Sequence, residues 1–236
     1  MKRGTVSAIA LGIILLSALT LRCIPLQWGI APMFHPDEPK LTNAIQTFPT
    51  QLFEANDLRY PMLIHNVGGF FWRLVQPAIV IVEKAAGSQP VYSTGRFPIL
   101  CMRLVNALIG LAALWLVYKT TLLFFDRESA LIAAALMNLC TYHVLNSAVM
   151  TTDILSSFWV ILTVYVLYRT SQALTISWRH AFGLGLLLGA AVSTKYTLLF
   201  LAPFFAALPM YLWRQKRLTI ETFLLFELML GAIAAM

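Results

Sequence analysis

Charge is what this sequence has least of: Asp, Glu, Lys and Arg make up 11% of its 236 residues, against about 25% in a soluble domain. That scarcity excludes disordered chains, which stay unfolded through low hydrophobicity and high net charge. Cysteine is nearly absent as well. Cys23, Cys101 and Cys140 are too few and too scattered for a disulfide framework or a metal knuckle, and they leave the redox compartment unread. No glycine-serine linker, low-complexity tract or internal repeat occurs, so nothing marks off a separate soluble domain. Acidic residues are outnumbered, 10 against 17 Lys and Arg, giving a net charge of +7. The basic residues sit singly or in short clusters at the ends of apolar runs, which is orientation charge and not a nucleic-acid surface. No nucleic-acid partner is expected.

Apolar residues, in contrast, make up 59% of the chain and the mean hydropathy is +0.76, well above the soluble average of about 45 to 50% apolar. A bilayer-spanning helix needs about 20 such residues. Runs near that length are Thr5–Leu21, Leu104–Phe125, Ser129–Ser147, Ile154–Tyr168, Ala181–Ser193, Tyr196–Trp213 and a last one from Thr222. Met1-Lys2-Arg3 before the first run resembles a signal-peptide start, but no small-residue cleavage site follows and more spans do, so an uncleaved anchor is expected. The last run stops without a polar flank. Residues 1–236 are therefore read as one membrane domain truncated at its C-terminus, which should insert but not turn over by itself. The fold class predicted is an all-α polytopic membrane protein.

The run Met62–Val82 is long enough to cross but contains His65, Asn66, Arg73, Gln76 and Pro77. If it lies along the interface, Lys2/Arg3, Lys119/Arg127, Arg169/Arg179 and Arg214/Lys216/Arg217 all fall on one side, which is then cytoplasmic. If it crosses, every later loop changes side. The interfacial arrangement is preferred, with Arg73 and Gln76 near headgroups. It places a long first loop (about 23–95), the turn Val149–Asp153 and the turn Thr194-Lys195 on one outer face.

Three polar constellations on that face carry chemistry. Phe34-His35-Pro36-Asp37-Glu38-Pro39 holds two adjacent carboxylates between prolines. Either acid can cap the following segment, or a carboxylate can serve as general base at the membrane surface. Thr151-Thr152-Asp153 precedes the span at Ile154; Thr152 or Asp153 can cap that helix, and an acid there also suits its dipole. Asp153 could equally bind an amine, a metal or a sugar hydroxyl. Ser193-Thr194-Lys195-Tyr196 puts a lysine where the charge bias disfavours one, either snorkelling to headgroups or holding a phosphate. Arg103 and Arg59-Tyr60-Pro61 add cations and a phenol, Arg being able to grip phosphate oxygens bidentately. Asn138 and His143, inside a run, are read as interhelical hydrogen-bond partners.

The order of these features resembles the GT-C glycosyltransferases, in the branch of protein O-mannosyltransferases, lipid A aminoarabinose transferases and Rgt-type lipopolysaccharide sugar transferases. It comprises an N-terminal anchor, Asp37-Glu38, Tyr60-Pro61, Arg103-Leu-Val-Asn-Ala-Leu-Ile-Gly110, Thr152-Asp153 and Gly189-Ala-Ala-Val-Ser-Thr-Lys195. The chain departs from the family pattern at Tyr60-Pro61-Met62, where many relatives carry a second proline or Glu-Lys-Pro. The resemblance implies a GT-C helical bundle whose long first outer loop carries interfacial helices. It also implies inverting transfer of a hexose or mannose-like sugar, from a polyprenyl-phosphate donor to a lipid, glycan or protein acceptor on the outer or lumenal face. Under it Asp37 and Asp153 are the catalytic acids, and Glu38, Tyr60, Arg103 and Lys195 contact substrates. No cofactor is implied, a divalent cation staying open. The membrane would be the inner membrane in a bacterium or the endoplasmic reticulum in a eukaryote. A transporter and a non-catalytic assembly subunit are the alternatives from other classes.

Overall fold

The computed structural model describes residues 3–28, 38, 45–46, 48, 63–87, 97–173 and 175–234, and every regular element among them is helical. Helix α1 runs from Arg3 to Cys23 and is prolonged by a 3-10 turn, Ile24–Gln27, with Pro25 in its first turn, where a missing N–H costs nothing. Val6, Ile9, Ile13 and Leu16 face outward while Ala18 and Arg22 are fully buried. An apolar face turned away from the protein is what hydrocarbon requires of a spanning helix.

Helix α2, Leu63–Ala85, continues through the ambiguous run from Leu63 onward without a break, Pro77 included. Gly69, Trp72 and Glu83 fall on its buried side, with Phe70, Phe71, Leu74, Ile81 and Val82 exposed. Helix α3, Phe97–Thr121, lies against α2 at Gly68, where a Cβ would stand 2.2 Å from Met102 Sδ. A Cβ there would require the flexible end of Met102 to move.

The run predicted as one span over Ser129–Ser147 is two helices, α4 (Arg127–Leu139) and α5 (Thr141–Ala148), bent by 60°. The cause is local. Cys140 adopts an extended backbone (φ −67°, ψ 101°), its N–H turning back to Met137 O while its carbonyl accepts from Val144 to start a new ladder. Asp126 caps α4 by accepting from the Ser129 N–H at 2.8 Å. Helix α6, Thr152–Gln172, starts two residues before the predicted span, so Thr152 and Asp153 lie in its first turn and not at its cap. Helix α7, Trp178–Val192, has 15 residues; at 1.5 Å each it is about 22 Å long, short of the roughly 30 Å hydrocarbon core. A 3-10 helix (Tyr196–Leu201) leads into α8 (Ala202–Arg214), and α9 occupies Ile220–Ala234.

Four helical segments among the described residues are long and apolar enough to cross a bilayer, five if the bent pair counts as one span. The chain is an integral, multi-pass membrane protein. It forms two compact units, Met1–Leu155 and Ser156–Met236. The first is knit by Ala18, Leu114, Tyr118, Ala130 and Ala134, the small residues letting α1, α3 and α4 approach closely. The second is knit by α7, α8 and α9 through Leu184, Leu188, Phe205, Leu212 and Phe226. Lipid tails are as apolar as leucine, so these contacts stabilise by packing and not by escape from water.

Candidate active site

In the first unit, the polar side chains gather toward the end of α1 that bears Arg22, around α3. Arg103, one and a half turns into α3, is 1% exposed and Glu38 is fully buried. Arg103 Nε donates to Glu38 Oε1 and Nη2 to Oε2, both at 2.7 Å, which is the two-pronged geometry a guanidinium offers a carboxylate. Its remaining nitrogen, Nη1, donates at 2.7 Å to the carbonyls of Leu26, within the 3-10 turn that extends α1, and of Trp28, just past it. Glu38 Oε1 also accepts the backbone N–H of Met150 at 3.1 Å. One ion pair thus ties together Glu38 of the first loop, the end of α1, α3 and the connector between α5 and α6.

Asn106 extends this network. It lies three residues beyond Arg103, hence on the same face of α3, and its Nδ2 donates to the carbonyls of Asn146 at 2.8 Å and Val149 at 2.6 Å. These are carbonyls at the end of α5 that no helical N–H follows to satisfy. The connector 149–151 is therefore held by its carbonyl through Asn106 and by its N–H through Glu38, and Asp153 follows in the first turn of α6, half-buried, where the helix dipole favours an anion. Thr151 Oγ1 and Asn106 Oδ1 are buried with no partner among the described residues.

A second cluster sits beside it. Arg22 is fully buried; Nη1 donates to Ala18 O at 3.0 Å and to Asn138 Oδ1 at 3.2 Å, and Nη2 lies 2.9 Å from His143 Nδ1. A guanidinium only donates, so Nδ1 is the acceptor and the proton of the neutral ring resides on Nε2. Asn138 donates in turn to Ser17 Oγ at 2.9 Å. Asn138 and His143 thus do join helices, as their place inside an apolar run suggests; the cation they serve, Arg22, is not among the candidates that the sequence singles out.

Of the residues singled out from sequence, Glu38 and Arg103 are brought into direct contact, and Asp153 follows the connector they hold. Asp37 and Tyr60 lie outside the described residues. Lys195 belongs to the second unit. It stands half-buried between α7 and the 3-10 helix, its N–H bonded to Ala191 O at 3.1 Å. The preceding Thr194 is fully buried, its hydroxyl donating to Ala190 O and accepting from Trp159 Nε1 at 2.8 Å. That bond pins the turn presenting Lys195 to α6. No group of three or more His, Cys, Asp or Glu side chains able to hold a metal occurs among the described residues.

A profile of the dolichyl-phosphate-mannose-protein mannosyltransferases matches residues 53–230. The chain belongs to that family. The match takes in Arg103, Asp153 and Lys195 and begins after Asp37 and Glu38. Comparison with curated proteins finds no match. Among solved structures, the chain is similar to the Saccharomyces cerevisiae protein O-mannosyltransferase Pmt1-Pmt2 complex bound to the sugar donor, at TM-score 0.69 and 18% identity. The likeness covers 97% of this chain and 32% of that one, so the chain spans about a third of its structural neighbour. This mannosyltransferase-family chain therefore shares the neighbour's polytopic helical fold over 97% of its length.

Proposed function

We propose that this chain forms the acid-bearing part of a membrane mannosyltransferase. It would move a mannose-like sugar from a dolichyl- or other polyprenyl-phosphate donor to a protein hydroxyl on the outer or lumenal face. The observation that carries the reading is the Glu38–Arg103 pair with Asn106. In a chain of this family, it fastens the residue next to Asp37 to the connector that leads into Asp153. Asp37 takes the proton of the acceptor hydroxyl as its oxygen bonds to the anomeric carbon. The bond from that carbon to the phosphate oxygen breaks on the opposite side, the electron pair leaving with the lipid phosphate, so the anomeric configuration inverts. Lys195 meets the charge gathering on the departing phosphate. Arg103, already engaged by Glu38 and two carbonyls, positions the loop and leaves the phosphate to other cations. The donor's prenyl chain stays in lipid, which requires a site at the bilayer surface. The N-terminus and Arg214–Arg217 are then cytoplasmic, with Asp153 and Lys195 on the far face.

The test is sugar transfer from a synthetic polyprenyl-phosphate mannose by the complete enzyme in liposomes. Asp37→Asn should lower turnover by about 10² to 10⁴, the worth of a general base, with Asp153→Asn lowering it less. Lys195→Met should chiefly raise the KM for donor. Near-normal turnover by a well-folded Asp37→Asn enzyme overturns the assignment.

A further inference from the structure

A cavity of about 550 Å³ opens in the second unit between the last two turns of α6 and the first turn of α7. It lies at the opposite end of α6 from Asp153, and its lining is rich in residues that can donate hydrogen bonds. Tyr165, Arg169 and Gln172 are spaced four and three residues apart, one stripe along α6. Arg169 is exposed and no carboxylate meets it among the described residues. Across the cavity stands His180, which closes a capping box at the start of α7: its Nδ1 accepts from the Ser177 N–H at 3.2 Å. That bond places the proton of the neutral ring on Nε2, leaving an N–H to donate. The Ala173 rim is fixed from below, because the Arg217 guanidinium donates to the carbonyls of Ser171 and Ala173.

The surroundings select the ligand. Arg169, Arg179, Arg214, Lys216 and Arg217 fall at this end of the second unit's helices, with Glu221 the acid at the start of α9. Trp178 is 57% exposed beside the cavity, its ring under the Arg179 guanidinium at 5.8 Å and edge-on to Phe182. An exposed tryptophan with an arginine over it marks headgroup depth in a membrane protein. Val166 adds an apolar wall. A dipole at the end of α6 accounts for one arginine there, but not for a cavity also lined by Tyr165, Gln172 and His180.

We propose that this cavity binds the phosphate of an anionic membrane lipid, held by Arg169, His180, Tyr165 and Gln172 at the bilayer surface. Basic pockets between membrane helices take anionic headgroups in this way.

Native mass spectrometry of the complete protein tests it, with short-chain phosphatidic acid, phosphatidylglycerol or phosphatidylcholine added in turn, and inorganic phosphate as competitor. The anionic lipids should bind saturably and in preference to phosphatidylcholine. Arg169→Gln should weaken them about fivefold, the factor for one basic contact near an anionic surface, and His180→Gln should weaken them further. Arg169 is exposed, so that variant should elute as the parent does. Lys216→Asn, outside the cavity and at a positive φ that asparagine tolerates, should bind as the parent does. Equal binding of phosphatidylcholine, or parent-like binding by Arg169→Gln, overturns the proposal. Displacement by low millimolar inorganic phosphate overturns the lipid assignment and leaves a free-phosphate site.

Discussion

Glu38→Gln changes one atom, and the surroundings of that atom set the size of the effect. Glu38 Oε1 accepts from Arg103 Nε and Met150 N, and Oε2 accepts from Arg103 Nη2. A glutamine can satisfy one side only, because its amide turns an N–H toward the nitrogen donor on the other. One charge-assisted hydrogen bond is lost, about 1.5 to 3 kcal/mol, and Arg103, 1% exposed, is left a buried cation without its counter-charge. Breaking a buried pair by removing one partner costs about 3 to 5 kcal/mol in all, which lowers a melting midpoint by roughly 6 to 20 °C for a protein of this size. Thermal unfolding in detergent, followed by tryptophan fluorescence, reads this directly. Arg103→Met added to Glu38→Leu should recover part of the loss, since no unpaired charge then persists. Recovery stays incomplete because the Leu26 and Trp28 carbonyls and the Met150 N–H lose their partners. A Glu38→Gln midpoint within about 2 °C of the parent, under 1 kcal/mol, would refute the reasoning and make Glu38 a surface acid.

Three further outcomes are expected. Gly110→Ala places a Cβ 2.4 Å from Ser147 Oγ and 3.2 Å from Arg22 Nε, an overpacking worth about 1 to 3 kcal/mol; Gly12→Ala, with open space around it, should not destabilise α1, and the same melting assay compares them. Single cysteines at Asp153 and Arg217, in a background lacking Cys23, Cys101 and Cys140, should label from opposite sides of the membrane; labelling of both from the same side refutes the proposed topology. The Asp126 carboxyl is held below its ordinary pKa by the Ser129 N–H and then the Ser129 hydroxyl. Its capping contribution is therefore complete above the ordinary carboxylate pKa and fades as pH falls through the lower folded value. The protection factor of the Ser129 amide should fall over that acidic window, and an unchanged value there would count against the cap.

Hydropathy alone makes α1, α3 and α6 legible, because twenty apolar residues in a row have few other fates. It does not see the bend at Cys140. No proline or glycine marks it, and the break resides in one backbone ψ angle; Asn138, His143 and Asn146 around it were the available signal. Asp37-Glu38 was visible as a pair, yet nothing local says that Glu38 is consumed by an arginine 65 residues away. Asn106 was passed over as part of an apolar stretch, although its three-residue spacing from Arg103 puts both on one face. Spacing along a helix is readable in a sequence, whereas partnership between helices comes with the fold.

The Arg22 cluster bears on how such a chain is made. Arg22 is synthesised with the first membrane segment, but its acceptors Asn138 and His143 follow 116 and 121 residues later. At translation rates of about 5 to 20 residues per second, a guanidinium 121 residues ahead of its partner waits roughly 6 to 24 s. During that interval it must stay at the headgroups, where water and phosphate serve it. Helix α1 therefore enters the membrane early and settles late, its final depth fixed only when α4 and α5 arrive.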